Sequence, residues 1–138
     1  MVFLEDLKIN GSKVFVFGIN SEYSNYLIKL FVKNEIKISL WDTDISLIIN
    51  NKDKEEFKNK YITFLDPKEI NLNEYEHIII TEYIENNSEY YFLFNKDEIK
   101  NKVCTDSDII QRIYPEIKFT GILGNSGQSV IKDILEHV

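Results

Sequence analysis

Short apolar runs and longer amphipathic stretches alternate along most of this chain, and that rhythm limits the folds open to it. Lys13–Phe17 (KVFVF) is β-branched and aromatic and ends at Gly18, so it reads as a buried strand. In Glu22–Val32, Tyr23, Tyr26, Leu27, Leu30 and Phe31 recur at helical spacing. Ile36–Trp41 alternates as a second strand, Asp53–Lys60 suggests a short polar helix, and Tyr61–Leu65 is a third strand closed by Asp66 and Pro67. His77–Thr81 (HIIIT) is an unbroken apolar run, the pattern of a central strand covered on both faces. Ser88–Lys100 reads as helical, Lys102–Thr105 as a short strand, and Asp106–Ile113 as a helix capped by Thr105 or Asp106. Lys118–Leu123 and Gly127–His137 complete the series as strand and helix. The expectation is a three-layer α/β/α Rossmann-like domain with a mostly parallel sheet, one unit spanning 1–138.

Ligands of such sheets bind beyond the carboxyl ends of the strands. That directs attention to Gly18–Tyr23, Asp42–Asp44, Thr81–Ile84 and Gly124–Ser129. The first turn, Gly18-Ile19-Asn20-Ser21-Glu22-Tyr23, keeps only the first glycine of a dinucleotide fingerprint. Glu22 puts negative charge at a helix start, where it stabilises the helix and opposes a phosphate. Asp42 ends the second strand; an acid there suits either a ribose hydroxyl or an ordinary turn cap. The last turn is Gly124-Asn125-Ser126-Gly127-Gln128-Ser129. A phosphate loop would carry lysine where Gln128 stands, and that lysine holds the β- and γ-phosphates. Neither ATP nor magnesium is expected to be used through this loop.

Charge narrows the field. The net charge is −7, Arg112 is the only arginine, and the lysines are interleaved with acids, as in NKDKEEFKNK. A nucleic-acid binder would present a basic face, so no nucleic-acid partner is expected. No apolar run approaches the ~20 residues that cross a bilayer, so no membrane partner is expected either. The first residues lack the pattern of a signal peptide, and Cys104 is the one cysteine; both suit the cytoplasm. His77 and His137 have no cysteine partners in a zinc pattern, and no metal site is expected. Ser126 and Ser129 lack the context of a nucleophile elbow, and no catalytic residue is assigned. Tyr75, Tyr83, Tyr90 and Tyr91 suit packing better than ring stacking.

These segments, in this order, resemble the first domain of the Mur ligase family, in its D-glutamate-adding branch. Lys13–Asp44 is similar to the family's first strand, glycine turn, helix and second strand with its acid-threonine end. Glu76–Ile84 sits where the family has a strand and a Ser-Pro-Gly loop, and Val103–Val138 resembles the passage into the ATPase domain. The resemblance implies a UDP-sugar site for a UDP-linked muramoyl substrate in peptidoglycan synthesis. Gly18, Ile19 and Asn20 would line the diphosphate turn. Asp42 and Thr43 would lie near uracil or ribose, and Thr81 would replace a serine. Gly124, Asn125, Ser126, Gly127, Gln128 and Ser129 would form a degenerate phosphate loop. Asn20 and Tyr23 replace glycines, Asp44 an arginine, Glu82 and Tyr83 a Pro-Gly pair, and Gln128 the ATP lysine. The implied ligase chemistry resides in domains outside this chain. A catalytically silent relative that acts as a binding or interaction module, with a protein partner, is the other expectation.

Overall fold

The computed structural model describes residues 2–116 of the chain. The expected strand at Lys118–Leu123, the Gly124–Ser129 turn and the Gly127–His137 helix lie outside the described residues.

Five strands form one sheet in the order β3-β2-β1-β4-β5. They are β1 (Val14–Phe17), β2 (Ile38–Trp41), β3 (Ile62–Phe64), β4 (His77–Ile80) and β5 (Val103–Thr105). Every pairing is parallel, and β1 sits between β2 and β4, with Val14 opposite both Ile38 and His77. This is a three-layer Rossmann-like α/β fold.

Side-chain alternation explains how the sheet is covered on both faces. Val14 and Val16 point to one face of β1 and Phe15 and Phe17 to the other, and all four are fully buried. The first face is covered by α1 (Val2–Asn10), α2 (Glu22–Lys33) and α6 (Asp106–Ile113). Leu4, Leu27, Phe31, Ile109 and Ile110 pack there with Leu40 and Ile79. The second face is covered by α4 (Glu89–Phe94), α5 (Asp97–Lys100) and a single 3-10 turn at Leu72–Glu74. Its core is aromatic: Phe17 meets Phe94 edge-on at 5.1 Å between ring centroids, and Phe15 meets Tyr75 at 5.5 Å. Each fully buried large apolar side chain contributes ~1.5–3 kcal/mol, so the unbroken apolar strands fix the sheet order from within.

Three features differ from the sequence expectation. The first is α1, which was not anticipated. The second is the polar helix expected at Asp53–Lys60, which is only a 3-10 turn at Glu55–Phe57. That stretch carries one apolar residue to bury, Phe57, too little to hold a helix against the core. The helix lies earlier, as α3 (Ile45–Asn51), started by Asp44, whose side chain accepts from Ser46 N. Its β-branched ISLII segment resembles a strand by composition. Third, Ser88–Lys100 divides into α4 and α5, with Asn95 as the C-cap of α4.

Candidate functional site

A cleft of about 320 Å³ opens at the carboxyl ends of β1, β2 and β4, where the strand order reverses about β1. Gly18, Asn20 and Ser21 line it from the first turn, and Asp42, Thr43 and Asp44 from the second. Leu47 of α3 and the Thr81-Glu82 pair after β4 complete it. Five residues that the family resemblance assigns to UDP therefore meet in one place: Gly18, Asn20, Asp42, Thr43 and Thr81. Ile19 does not line the cleft. Its side chain is buried in the core, and only its amide reaches the turn.

The first turn needs its glycine. Gly18 has φ +106°, and a Cβ there would overlap Thr81 Oγ1 and come within 3.2 Å of Glu82 Cβ. Thr81 Oγ1 donates to Gly18 O at 2.6 Å, tying the turn after β4 to the turn after β1. Ser21, not Glu22, is the N-cap of α2. Its Oγ accepts from Ser24 N at 3.0 Å, and Ser24 Oγ accepts from Ser21 N at 3.2 Å. Glu22 is exposed in the first turn of the helix and is not among the residues that line the cleft.

Asp42 is 2% exposed, and its carboxylate bridges two turns. Oδ2 accepts from Ile19 N and Oδ1 from Asp44 N, each at 2.9 Å. The side chain thus anchors both turns, the capping role that the sequence leaves open beside a ribose contact. Glu82 reaches over from the β4 side. Its Oε1 accepts from Thr43 N at 3.2 Å and its Oε2 from Thr43 Oγ1 at 3.4 Å. Burial, and then the charge of Asp42, push the Glu82 carboxyl above its ordinary pKa; the Thr43 bonds oppose this.

Most of the turn amides are therefore satisfied from within. A diphosphate cradle presents unspent amides to the ligand. Here Gly18 N donates to Trp41 O at 2.7 Å, and the amides of Ile19, Ser21 and Thr43 donate to Asp42, Ser24 and Glu82. Among the described residues, three carboxylates, on Asp42, Asp44 and Glu82, line the cleft, and no lysine or arginine does. Residues of three turns that the sequence singles out meet in this cleft. The sequence did not reveal the Glu82–Thr43 contact, which spans 39 residues and belongs to no local motif. The Ser21 cap was readable as a serine directly before a helix.

The other candidates sit elsewhere. His77 opens β4, at the far end of the sheet, with its ring 5.3 Å from that of Phe3. Burial and the nearby Arg112 charge lower its pKa. The Cys104 thiol donates to Ile78 O at 3.6 Å, and burial pushes its pKa up to about 11, so it is a packed, unreactive group. Tyr75 and Tyr90 are packing residues. Tyr75 OH is bonded to Ser39 Oγ at 2.7 Å, and Tyr90 OH accepts from Trp41 Nε1 at 3.1 Å. Tyr83 is 81% exposed beside the cleft. Among the described residues, no three His, Cys, Asp or Glu side chains gather as a metal would require, and no helix is long and apolar enough to cross a membrane. Compared with known proteins, the chain matches no family model, no curated protein and no solved structure.

Proposed function

We propose that this chain is a catalytically silent domain of the Mur-ligase N-terminal kind, which has kept the nucleotide-binding scaffold and serves as a binding or interaction module. One observation carries the reading: the amides of Gly18, Ile19, Ser21 and Thr43 in the switch-point turns are spent on the protein's own acceptors, with Glu82 seated on Thr43. A diphosphate entering there would meet three carboxylates and displace one of them. The test is calorimetric titration of the whole chain with UDP and with a UDP-linked muramoyl peptide at low salt. The expected result is no saturable heat, or dissociation weaker than about 1 mM. Micromolar binding that weakens with Asn20→Ala and Thr81→Val would overturn it.

The second reading is the UDP-sugar-recognising domain of a D-glutamate-adding ligase. It is favoured by the convergence of Gly18, Asn20, Asp42, Thr43 and Thr81 on one cleft. The same titration decides between the two. Under both readings the purified chain hydrolyses no ATP, since Gln128 stands in the place of the phosphate lysine.

A further inference from the structure

The acidic cleft shares a wall with a second cavity. This neighbour, also about 320 Å³, is lined mainly by Ile80, Tyr83, Ile84, Tyr91, Phe94 and Val103, and Glu82 belongs to both. Lys100 lies on its border but is ion-paired with Asp97 at 3.3 Å. Of the five large apolar residues exposed among the described residues, Tyr83 lines the second cavity next to Glu82, at 81% exposure. A single exposed apolar residue needs no explanation by itself, but one that stands between an apolar cavity and an acidic cleft does.

We infer that this end of the sheet is a docking surface for a peptide segment of a partner protein in which an arginine or lysine stands beside a large apolar side chain. The inference rests on the reading above that the cleft does not hold diphosphate. The cation enters between Asp44 and Glu82, and the apolar neighbour passes Tyr83 into the second cavity. Charge complementarity selects this occupant: among the described residues the cleft is lined by three carboxylates and no cation, in a chain of net charge −7. The position of Glu82 agrees, since a half-buried carboxylate beside Asp42 gains most from a guanidinium that bonds it directly. A small amine would fill the cleft yet leave Tyr83 and the apolar second cavity in water; a peptide covers both.

The test is selection from a displayed library of random heptapeptides against the whole immobilised chain. Enriched peptides are then titrated against wild type, Glu82→Gln and Tyr83→Ser, with circular dichroism confirming that each variant is folded. The inference requires a consensus of Arg or Lys next to an aromatic or large aliphatic residue. It also requires binding that falls about tenfold in each variant and weakens with salt. No consensus, an acidic consensus, or binding indifferent to both variants overturns it. Failure here alongside silence toward UDP removes the peptide site and leaves the proposed function standing, whereas tight UDP binding removes that function first.

Discussion

Two carboxylates face each other across the switch point, and they are held very differently. Asp42 is 2% exposed and bonded to two amides of flanking turns, each at 2.9 Å. Glu82 is half-buried, comes from the opposite side of β1, and makes longer contacts with one residue, Thr43. The first is part of the scaffold, because without it a buried amide on Ile19 has no acceptor. The second occupies ground that the scaffold leaves open. The Asp42 side of the cleft holds the two turns in shape, and Glu82 is the group that an incoming ligand would have to meet or displace.

If that division holds, changes on the scaffold side should dominate stability. The largest effect is expected at the glycine that lets the two sides approach. Gly18→Ala puts a Cβ onto Thr81 Oγ1 at φ +106°, where both the backbone strain and the overlap must be relieved. A loss of about 3 kcal/mol is expected from strain of this type combined with a steric clash, read by urea denaturation. A loss below about 1 kcal/mol would mean that the turn after β4 moves freely and that the cleft is not preformed.

Asp42→Ala should come next. It leaves the buried Ile19 amide without a partner and the half-buried Asp44 amide to water. The expected cost is about 2 kcal/mol, since an orphaned buried donor loses its full solvation. Asp42→Asn keeps one acceptor oxygen and should recover part of it. A neutral Asp42→Ala variant would erase the distinction between the two carboxylates.

How far the sequence reached follows the same line. Elements whose signal lies in their own residues were readable: KVFVF and HIIIT announce central strands because both faces must be apolar. The Ser21 and Thr105 ends of their helices follow from local caps. Elements defined by partners were not. The helix α3 hides in a β-branched run and is held by Asp44 and by the burial of Ile48. The turn positions of the candidate site were also readable, because strand ends in a parallel sheet are where ligands go. Their chemistry was not. Glu22 and Glu82 both put a carboxylate in a strand-end turn, yet Glu22 is an exposed first-turn residue and of the two only Glu82 lines the cleft. Only the folding of two turns onto each other separates them.

The smallest stability effect belongs to Glu82, and its pH dependence is the sharper measurement. Burial and the charge of Asp42 raise its folded pKa above the ordinary value of 4.5, so the folded chain holds a proton that the unfolded chain has released. Between those two values the native state binds more protons, and stability therefore falls as pH rises through that window and is level above it. Glu82→Gln keeps an oxygen for the Thr43 amide and removes the titration. Relative to this variant, wild type should lose stability as pH rises above about 4.5, with solvent screening keeping the change modest because the group is half-exposed. Paired denaturation curves across acid and neutral pH give the difference directly and cancel the contributions of Asp44 and Asp106. If wild type instead gains on the variant as pH rises, ionised Glu82 is a stabilising anchor like Asp42. The cleft would then have no replaceable side, and neither an incoming cation nor a diphosphate could be admitted by displacing it.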